Sequence, residues 1–225
     1  MHAVGIVAAA GSGLRLGAER PKALVPLGGR PLVCWAVESL REGGVDEVVV
    51  AVPEPQQAAF VAVLPDDVHV VVGGDTRTAS VRAALAAARE HADVVLVHDA
   101  ARPLTPPDVV ARVLAALSAG AAAVVPVLPV VDTTVVVDED GVVTADVPRG
   151  PLRRVQTPQG FDRATLVAAY GRAHGTAAGF TDDASVVRAA GVAVQTVAGD
   201  ERAAKITVPH DLTLAELQLR APETS

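Results

Sequence analysis

The chain has 225 residues, half of them hydrophobic but only 2% aromatic, and a formal net charge of −7. That length accommodates one domain whose core must be filled by Val, Ala and Leu, and the acidic balance argues against a general nucleic-acid binder or a basic membrane-surface helix. The single cysteine, Cys34, excludes an intrachain disulfide and a multi-cysteine metal site, no apolar run reaches the ~18 residues of a membrane span, and the short Val4–Ala10 run lacks the charged leader of a signal peptide, so a soluble cytoplasmic protein is expected.

In chain order, the apolar run Val4–Ala9 predicts a buried parallel strand feeding a loop with Gly11, Gly13, Arg15, Gly17, Arg20 and Lys22. Pro31 opens a helix over Leu32–Glu42, which Gly43-Gly44 closes. A strand over Glu47–Val52, a short helix over Gln56–Leu64 and a strand over Val68–Val72 follow. Gly73-Gly74-Asp75 breaks that strand, and Thr76–His91 reads as an alanine-rich helix. A strand over Val94–His98 runs into an Arg102-Pro103 loop. Thr105 is placed to cap a helix that has Pro106 and Pro107 in its first turn and runs to Ser118, and Ala121–Pro126 is a further strand.

The pattern then changes. Thr133–Val137 and Val142–Val147 are β-branched runs around Asp138-Glu139-Asp140-Gly141, a hairpin signal, read as an arm inserted at about residues 129–150. A lone two-stranded hairpin is marginal in water, so the arm is expected to lean on a second subunit. A strand near Arg154–Gln156, a helix over Asp162–His174, a helix over Asp182–Ala190 capped by Thr181, a strand over Val192–Val197 and a helix after Pro209 complete the chain. Repeated strand–helix units imply an α/β domain: a mostly parallel sheet covered on both faces, with ligand loops at the strands' carboxyl ends, here residues 10–22, 73–80 and 98–103.

The first loop is neither of two common glycine loops. The third glycine of a dinucleotide fingerprint would fall at Leu16, and no Gly-Lys-Ser/Thr follows at the spacing of a Walker A loop. What remains is glycine backbone able to expose its N–H groups, with Arg15 and Lys22 close behind. Fixed cations of this kind suit the charge that develops in phosphoryl or nucleotidyl transfer; the bland alternative is a turn with solvated arginines. In the second loop Asp75 and Ser80 can offer hydrogen bonds to a base, against the alternative of a plain turn capped by Thr76. In the third, Asp99 at a strand's end suits a Mg²⁺ ligand or a ribose contact, and His98 reads as a neutral structural histidine. No His/Glu cluster has metal-ligand spacing and no nucleophile elbow is present. Of 19 basic residues only Lys22 and Lys205 are lysine.

As an ordered set these runs resemble the 2-C-methyl-D-erythritol 4-phosphate cytidylyltransferases, over about residues 3–218. The resemblance rests on Ala9-Ala10-Gly11-Ser12-Gly13-Leu14-Arg15, Pro21-Lys22, Gly73-Gly74-Asp75, Ser80-Val81, Val97 through Pro103, Asp132-Thr133, Gln156-Thr157-Pro158-Gln159, Thr181 through Ser185 and Lys205-Ile206-Thr207. It implies a three-layer Rossmann-like nucleotidyltransferase fold with the hairpin arm inserted. It also implies transfer of cytidylyl from CTP to methylerythritol phosphate, by in-line attack of the substrate phosphate on the α-phosphorus of CTP. Arg15, Lys22, Lys205 and Arg149 would be catalytic. Ala8, Ala9, Ala10, Gly11, Gly13, Gly74, Asp75, Ser80, Asp99 and Ala100 would bind nucleotide. Thr133, Arg149, Arg102 and Lys205 would bind the acceptor, with Arg153 and Arg154 as neighbouring alternatives to Arg149. Mg²⁺ would be held mainly by the CTP phosphates with Asp99, and a homodimer would exchange arms so that Thr133 and Arg149 serve the neighbouring site. The glycine loop and the His98–Pro103 run would serve equally a transferase for another polyol phosphate, such as ribitol 5-phosphate. A non-catalytic nucleotide-binding domain would not require Arg15, Lys22, Asp99 and Lys205 together.

Overall fold

The structure is a computed structural model that describes residues 1–11, 20–89, 91–173 and 180–220. In chain order, β1 (Ala3–Ala8) is followed by a two-residue ladder of β2 (Pro26–Leu27) and β3 (Arg30–Pro31), then α1 (Leu32–Glu42), β4 (Glu47–Val52), α2 (Gln57–Val61), β5 (His69–Val72), α3 (Arg77–Ala87), β6 (Val94–Asp99), α4 (Pro107–Ser118) and β7 (Ala123–Pro129). The arm β8 (Thr134–Val137) and β9 (Val143–Val147) comes next. After it lie β10 (Arg153–Val155), β11 (Gln159–Asp162), α5 (Arg163–Arg172), α6 (Asp183–Ala189), β12 (Gln195–Ala198) and α7 (Pro209–Arg220).

One mixed, mostly parallel sheet runs β5-β4-β1-β6-β11-β7-β12. β5, β4, β1 and β6 are mutually parallel, β12 is parallel to β7, and β11 is antiparallel to both β6 and β7. β10 is antiparallel to β7 through Val127–Pro129 and lies on the same edge of it as β11. Strand side chains alternate between two apolar layers, which is why the central strands read as continuous apolar runs. Ala3, Val7, Val50 and Leu96 pack with Leu40 of α1 and Val110 and Val113 of α4. Ile6, Val49, Val95 and Val97 pack with Val81 and Leu85 of α3, Leu166 of α5 and Val187 of α6. Each fully buried aliphatic side chain stabilises the fold by roughly 1.5–3 kcal/mol relative to exposure, so the sheet and its flanking helices form a rigid platform.

A third, smaller cluster matters for function. Val25, Leu27, Leu32, Ile206 and Ala215 pack together and fasten the stretch before α7 to the first helix. Ile206 is fully buried and its N–H donates to Ala101 O at 2.8 Å. Lys205 is thereby delivered to the end of β6 from the far end of the chain.

The expected strands and helices are present, with some ends shifted and with five differences. The β2–β3 ladder and β11 were not anticipated; in β11, Gln-Gly-Phe-Asp has one large apolar side chain, and its extended form comes from partners on both sides. The helix expected over Thr76–His91 ends at Ala87, because Ala88 turns to extended backbone and buries its methyl group. Thr105 does not cap α4. Pro106 holds that position without a side-chain bond, while the Thr105 hydroxyl donates to Arg102 O. Thr181 does not cap α6 either; Asp182 does, in a reciprocal box with Ser185.

The arm is a separate two-stranded sheet, pairing Thr134 with Val147, Val135 with Asp146 and Val136 with Ala145. Asp138 Oδ1 accepts from the N–H groups of Asp140 and Val142, and Gly141 takes φ +80°, which completes the turn. Val131, Val136, Val137, Val142 and Val143 are all exposed.

Candidate active site

The carboxyl ends of β1 and β6 and the loop after β5 open into a cleft of about 560 Å³. Its floor is Ala8, Ala9, Ala10 and Gly11, whose small side chains leave backbone accessible to a ligand. Lys22, Gly74, Asp75, Ser80, Asp99, Ala100 and Lys205 also line it. Gly13 and Arg15 lie outside the described residues. The Lys22 N–H donates to Gly11 O at 3.4 Å, which draws the two ends of that loop together, and buried Ala23 anchors the turn behind Lys22.

The Gly73–Ser80 wall is shaped by close packing on the first turn of α3. A side chain at Gly73 would sit 2.6 Å from Ser80 Oγ, and one at Gly74 would sit 2.5 Å from Ala79 Cβ. Only glycine lets the strand end meet the helix at this spacing. Ser80 is buried; its Oγ accepts from Gly74 N–H at 3.2 Å, and its single proton has the carbonyls of Gly74 and Thr76 within reach. The hydroxyl therefore holds the loop's shape. Thr76 caps α3 by accepting from Ala79 N–H.

Asp99 ends β6 and is the charged centre of the cleft. Its Oδ1 accepts from Arg77 Nε at 3.2 Å and its Oδ2 from Lys205 Nζ at 2.7 Å. Burial alone would push this carboxyl up; Arg77 and Lys205 outweigh it and hold Asp99 well below the usual carboxylate range. Arg77 reaches further, donating from Nη1 to Asp183 Oδ2 at 2.5 Å. Burial opposes the charge on Arg77, but Asp183 and Asp99 more than restore it, so it is a fixed cation. Asp183 also accepts from the phenol of Tyr170.

His98 is fully buried behind Asp99. Its Nε2 lies 3.2 Å from Arg102 O and its Nδ1 2.9 Å from Thr157 Oγ1, which itself accepts from Asp99 N–H at 3.1 Å. A carbonyl can only accept, so the proton is on Nε2, and the Thr157 hydroxyl donates to Nδ1. Burial lowers the His98 pKa to about 4, which leaves the ring neutral and structural.

Three acceptor-side residues lie elsewhere. Arg102 does not line the cleft. Its guanidinium donates to Ala203 O at 2.7 Å and Val155 O at 3.3 Å and straps the segment before Lys205 to β10. Thr133 and Arg149 sit on the exposed arm, where Arg149 donates to Val131 O. Neither lines the cleft of its own chain. Of the alternatives, Arg153 is bonded to the carbonyls of Gly150 and Leu152, and Arg154 to Glu201.

Sequence reasoning assigned no task to Arg77, Thr157, Asp183 or Tyr170. Arg77, Thr157 and Asp183 stand inside or beside runs already singled out, so proximity to a motif was the available signal. Tyr170 had none beyond its position on a predicted helix.

The family model described as 2-C-methyl-D-erythritol 4-phosphate cytidylyltransferase matches residues 3–221. A protein of that name from Rhodococcus jostii (strain RHA1) is 52% identical over 213 residues, 94% of this chain and 92% of the relative. One from Nocardia farcinica (strain IFM 10152) is 53% identical over 219 residues, 96% and 93% of the two chains. The crystal structure of 2-C-methyl-D-erythritol 4-phosphate cytidylyltransferase from Thermus thermophilus superposes with a TM-score of 0.83 at 39% identity, over 98% of this chain and 100% of that one.

Proposed function

Because the chain belongs to the 2-C-methyl-D-erythritol 4-phosphate cytidylyltransferase family, we propose that the cleft at the ends of β1 and β6 is where it performs that family's reaction. The enzyme transfers cytidylyl from CTP to 2-C-methyl-D-erythritol 4-phosphate, giving 4-diphosphocytidyl-2-C-methyl-D-erythritol and pyrophosphate. One observation carries the assignment of the site: the chain's only two lysines, 183 positions apart (205 − 22), line one cleft.

In the reaction an acceptor phosphate oxygen bonds to the α-phosphorus as the bond to the β-phosphate bridging oxygen breaks, and that electron pair leaves with pyrophosphate. No side chain need take up a proton, so the protein's task is placement and charge stabilisation. Lys22 stabilises the transition state and the leaving pyrophosphate. Arg15 has the same task by resemblance. Lys205 leaves Asp99 for the α-phosphate and the acceptor phosphate; a compact ammonium on a flexible stem suits a partner whose geometry changes. The alanine floor and the Gly74–Asp75 wall receive the nucleotide, with Ser80 holding that wall in shape.

Mg²⁺ fits the donor set. The cleft presents one deep carboxylate, Asp99, and Mg²⁺ is usually held by one or two carboxylates plus substrate phosphates. Asp99 would contribute one ligand once Lys205 turns to phosphate, and the ion would neutralise triphosphate charge.

The enzyme works as a homodimer whose arms are exchanged, Thr133 and Arg149 of one subunit facing the acceptor in the other's cleft. The exposed valines of an arm that, among the described residues, pairs with no other strand support this reading. It acts in the cytoplasm; its one cysteine is unpaired and buried, and no helix among the described residues is long and apolar enough to cross a membrane. The test is pyrophosphate release from CTP with each polyol phosphate in turn. Release with methylerythritol phosphate is expected; release with ribitol 5-phosphate alone would reassign the acceptor, and none with either would refute the reading.

A further inference from the structure

Asp183 is a buried carboxylate to which the reaction as described gives no task. It opens α6 at 1% relative exposure and does not line the cleft. One oxygen takes Arg77 Nη1 and the other takes the phenol of Tyr170, itself buried on α5. The same guanidinium presents Nε to Asp99 Oδ1, and Asp99 Oδ2 takes Lys205 Nζ. A continuous line of bonded groups thus runs from α5 through α6, α3 and β6 to the ammonium in the cleft.

Burying an ion pair costs several kcal/mol, and apolar residues of equal volume often serve stability as well, so fold stability alone does not account for Asp183. Geometry does. A guanidinium is a planar fork whose direction is fixed once two of its edges are held. Held by Asp99 alone, Arg77 could swing at the edge of the cleft. Asp183 supplies the second hold, and Tyr170 in turn fixes the Asp183 carboxylate. Arg77 then keeps one Asp99 oxygen turned toward α3 and leaves the other for the cleft.

The geometry points to Asp183 as a positioning residue for cytidylyl transfer: through Arg77 it fixes Asp99, and through Asp99 the place from which the Lys205 ammonium meets phosphate. The inference rests on Lys205 being a phosphate ligand, as read above.

A double-mutant cycle tests it, using the wild-type protein, Asp183→Asn, Lys205→Ala and the double variant. Each is assayed for pyrophosphate release from CTP and methylerythritol phosphate, with CTP binding measured by calorimetry. Asp183→Asn is expected to lower kcat by about 10- to 100-fold while still binding CTP, as loss of an orienting partner does. With Mg²⁺ saturating for every variant, so that the hold of Asp99 on the ion does not enter, the same substitution in the Lys205→Ala background should change kcat by no more than about twofold, since the group it positions is gone. Wild-type turnover in Asp183→Asn, or an effect that multiplies undiminished on Lys205→Ala, would overturn the proposal and leave the reading of Lys205 standing. Wild-type turnover in Lys205→Ala would overturn both. If Asp183→Asn does not fold, Tyr170→Phe removes one bond to the same carboxylate and goes through the same cycle. Its effect should be smaller and likewise vanish without Lys205; an effect that persists there would overturn the proposal.

Discussion

Lys205 Nζ donates to Asp99 Oδ2 at 2.7 Å, joining the segment before α7 to the end of β6 across 106 residues of chain. The contact is possible because Ile206 is buried in the third apolar cluster and bonded to Ala101 O, which holds the backbone of its neighbour beside the end of β6. The ammonium thus rests on a carboxylate, and on the proposed reading an arriving phosphate competes for it.

Asp99→Asn removes that resting place and the carboxylate through which the cleft would hold Mg²⁺. The Mg²⁺ concentration giving half-maximal turnover should rise by about 10- to 100-fold, and chelator should abolish wild-type turnover. Lys205 can turn to solvent and Arg77 keeps Asp183, so the loss of stability should stay near 1–3 kcal/mol. A Mg²⁺ titration and a denaturant titration check the two halves, and an unchanged Mg²⁺ midpoint would remove Asp99 from the metal site.

Burial of neutral His98 makes stability depend on pH in a defined window. Its pKa is about 4 in the folded protein and about 6.5 when unfolded, so between these values the unfolded chain binds more protons. Stability from this group is complete above about pH 6.5 and is lost as pH falls toward 4, by roughly 3 kcal/mol at most. Asp99, held below its unfolded value, adds a loss only at lower pH still, below about 3.8. Denaturant unfolding at several pH values should show the slope in wild-type protein and lose most of it in His98→Asn; an equal slope in both would contradict this account.

Gly74→Ala tests the shape of the cleft wall. The added methyl would meet Ala79 Cβ at 2.5 Å, so loop or helix must shift, at a cost of about 1–3 kcal/mol. On the proposed reading, in which this wall receives the nucleotide, CTP affinity should fall at least about tenfold. Calorimetry on the folded variant measures it, and unaltered affinity would place the nucleotide elsewhere.

The bounds of α1 and β4 were legible because continuous apolar runs stand between Pro and Gly punctuation, and β1 came within a residue at each end. The arm was legible because β-branched runs flank an Asp-Gly turn. β11 was not, since its four residues are ordered by β6 and β7 and not by their own pattern. The cap at Asp182 was missed by one residue, because Thr181 and Asp182 are adjacent polar residues and only geometry chooses between them; Thr105 was expected to cap α4, but its hydroxyl goes to Arg102 O and Pro106 starts the helix without a side-chain bond. In the site, Asp99, Lys22 and Lys205 were legible as charged residues in or beside motifs. The link from Arg77 to Asp183 was not, because a contact across 106 residues leaves no local trace.

Exchange of arms predicts that two damaged chains can make one sound site. Arg149→Ala should raise KM for methylerythritol phosphate with little change in KM for CTP. Mixed with Lys22→Ala it should recover activity, because one hybrid site would draw Lys22 from one chain and Arg149 from the other. Recovery is capped at half of the wild-type dimer's sites, and none in a purified heterodimer would refute sharing.

The central claim, that Lys22 acts on the charge developed in transfer and not on the bound nucleotide, is tested most directly by Lys22→Ala. Its kcat and its Kd for CTP should be measured side by side. The account predicts a fall in kcat of about 10²- to 10³-fold, the cost of losing one preorganised charge stabiliser, with Kd changed by less than about tenfold. An equal loss in kcat/KM and in CTP affinity, with kcat intact, would contradict it.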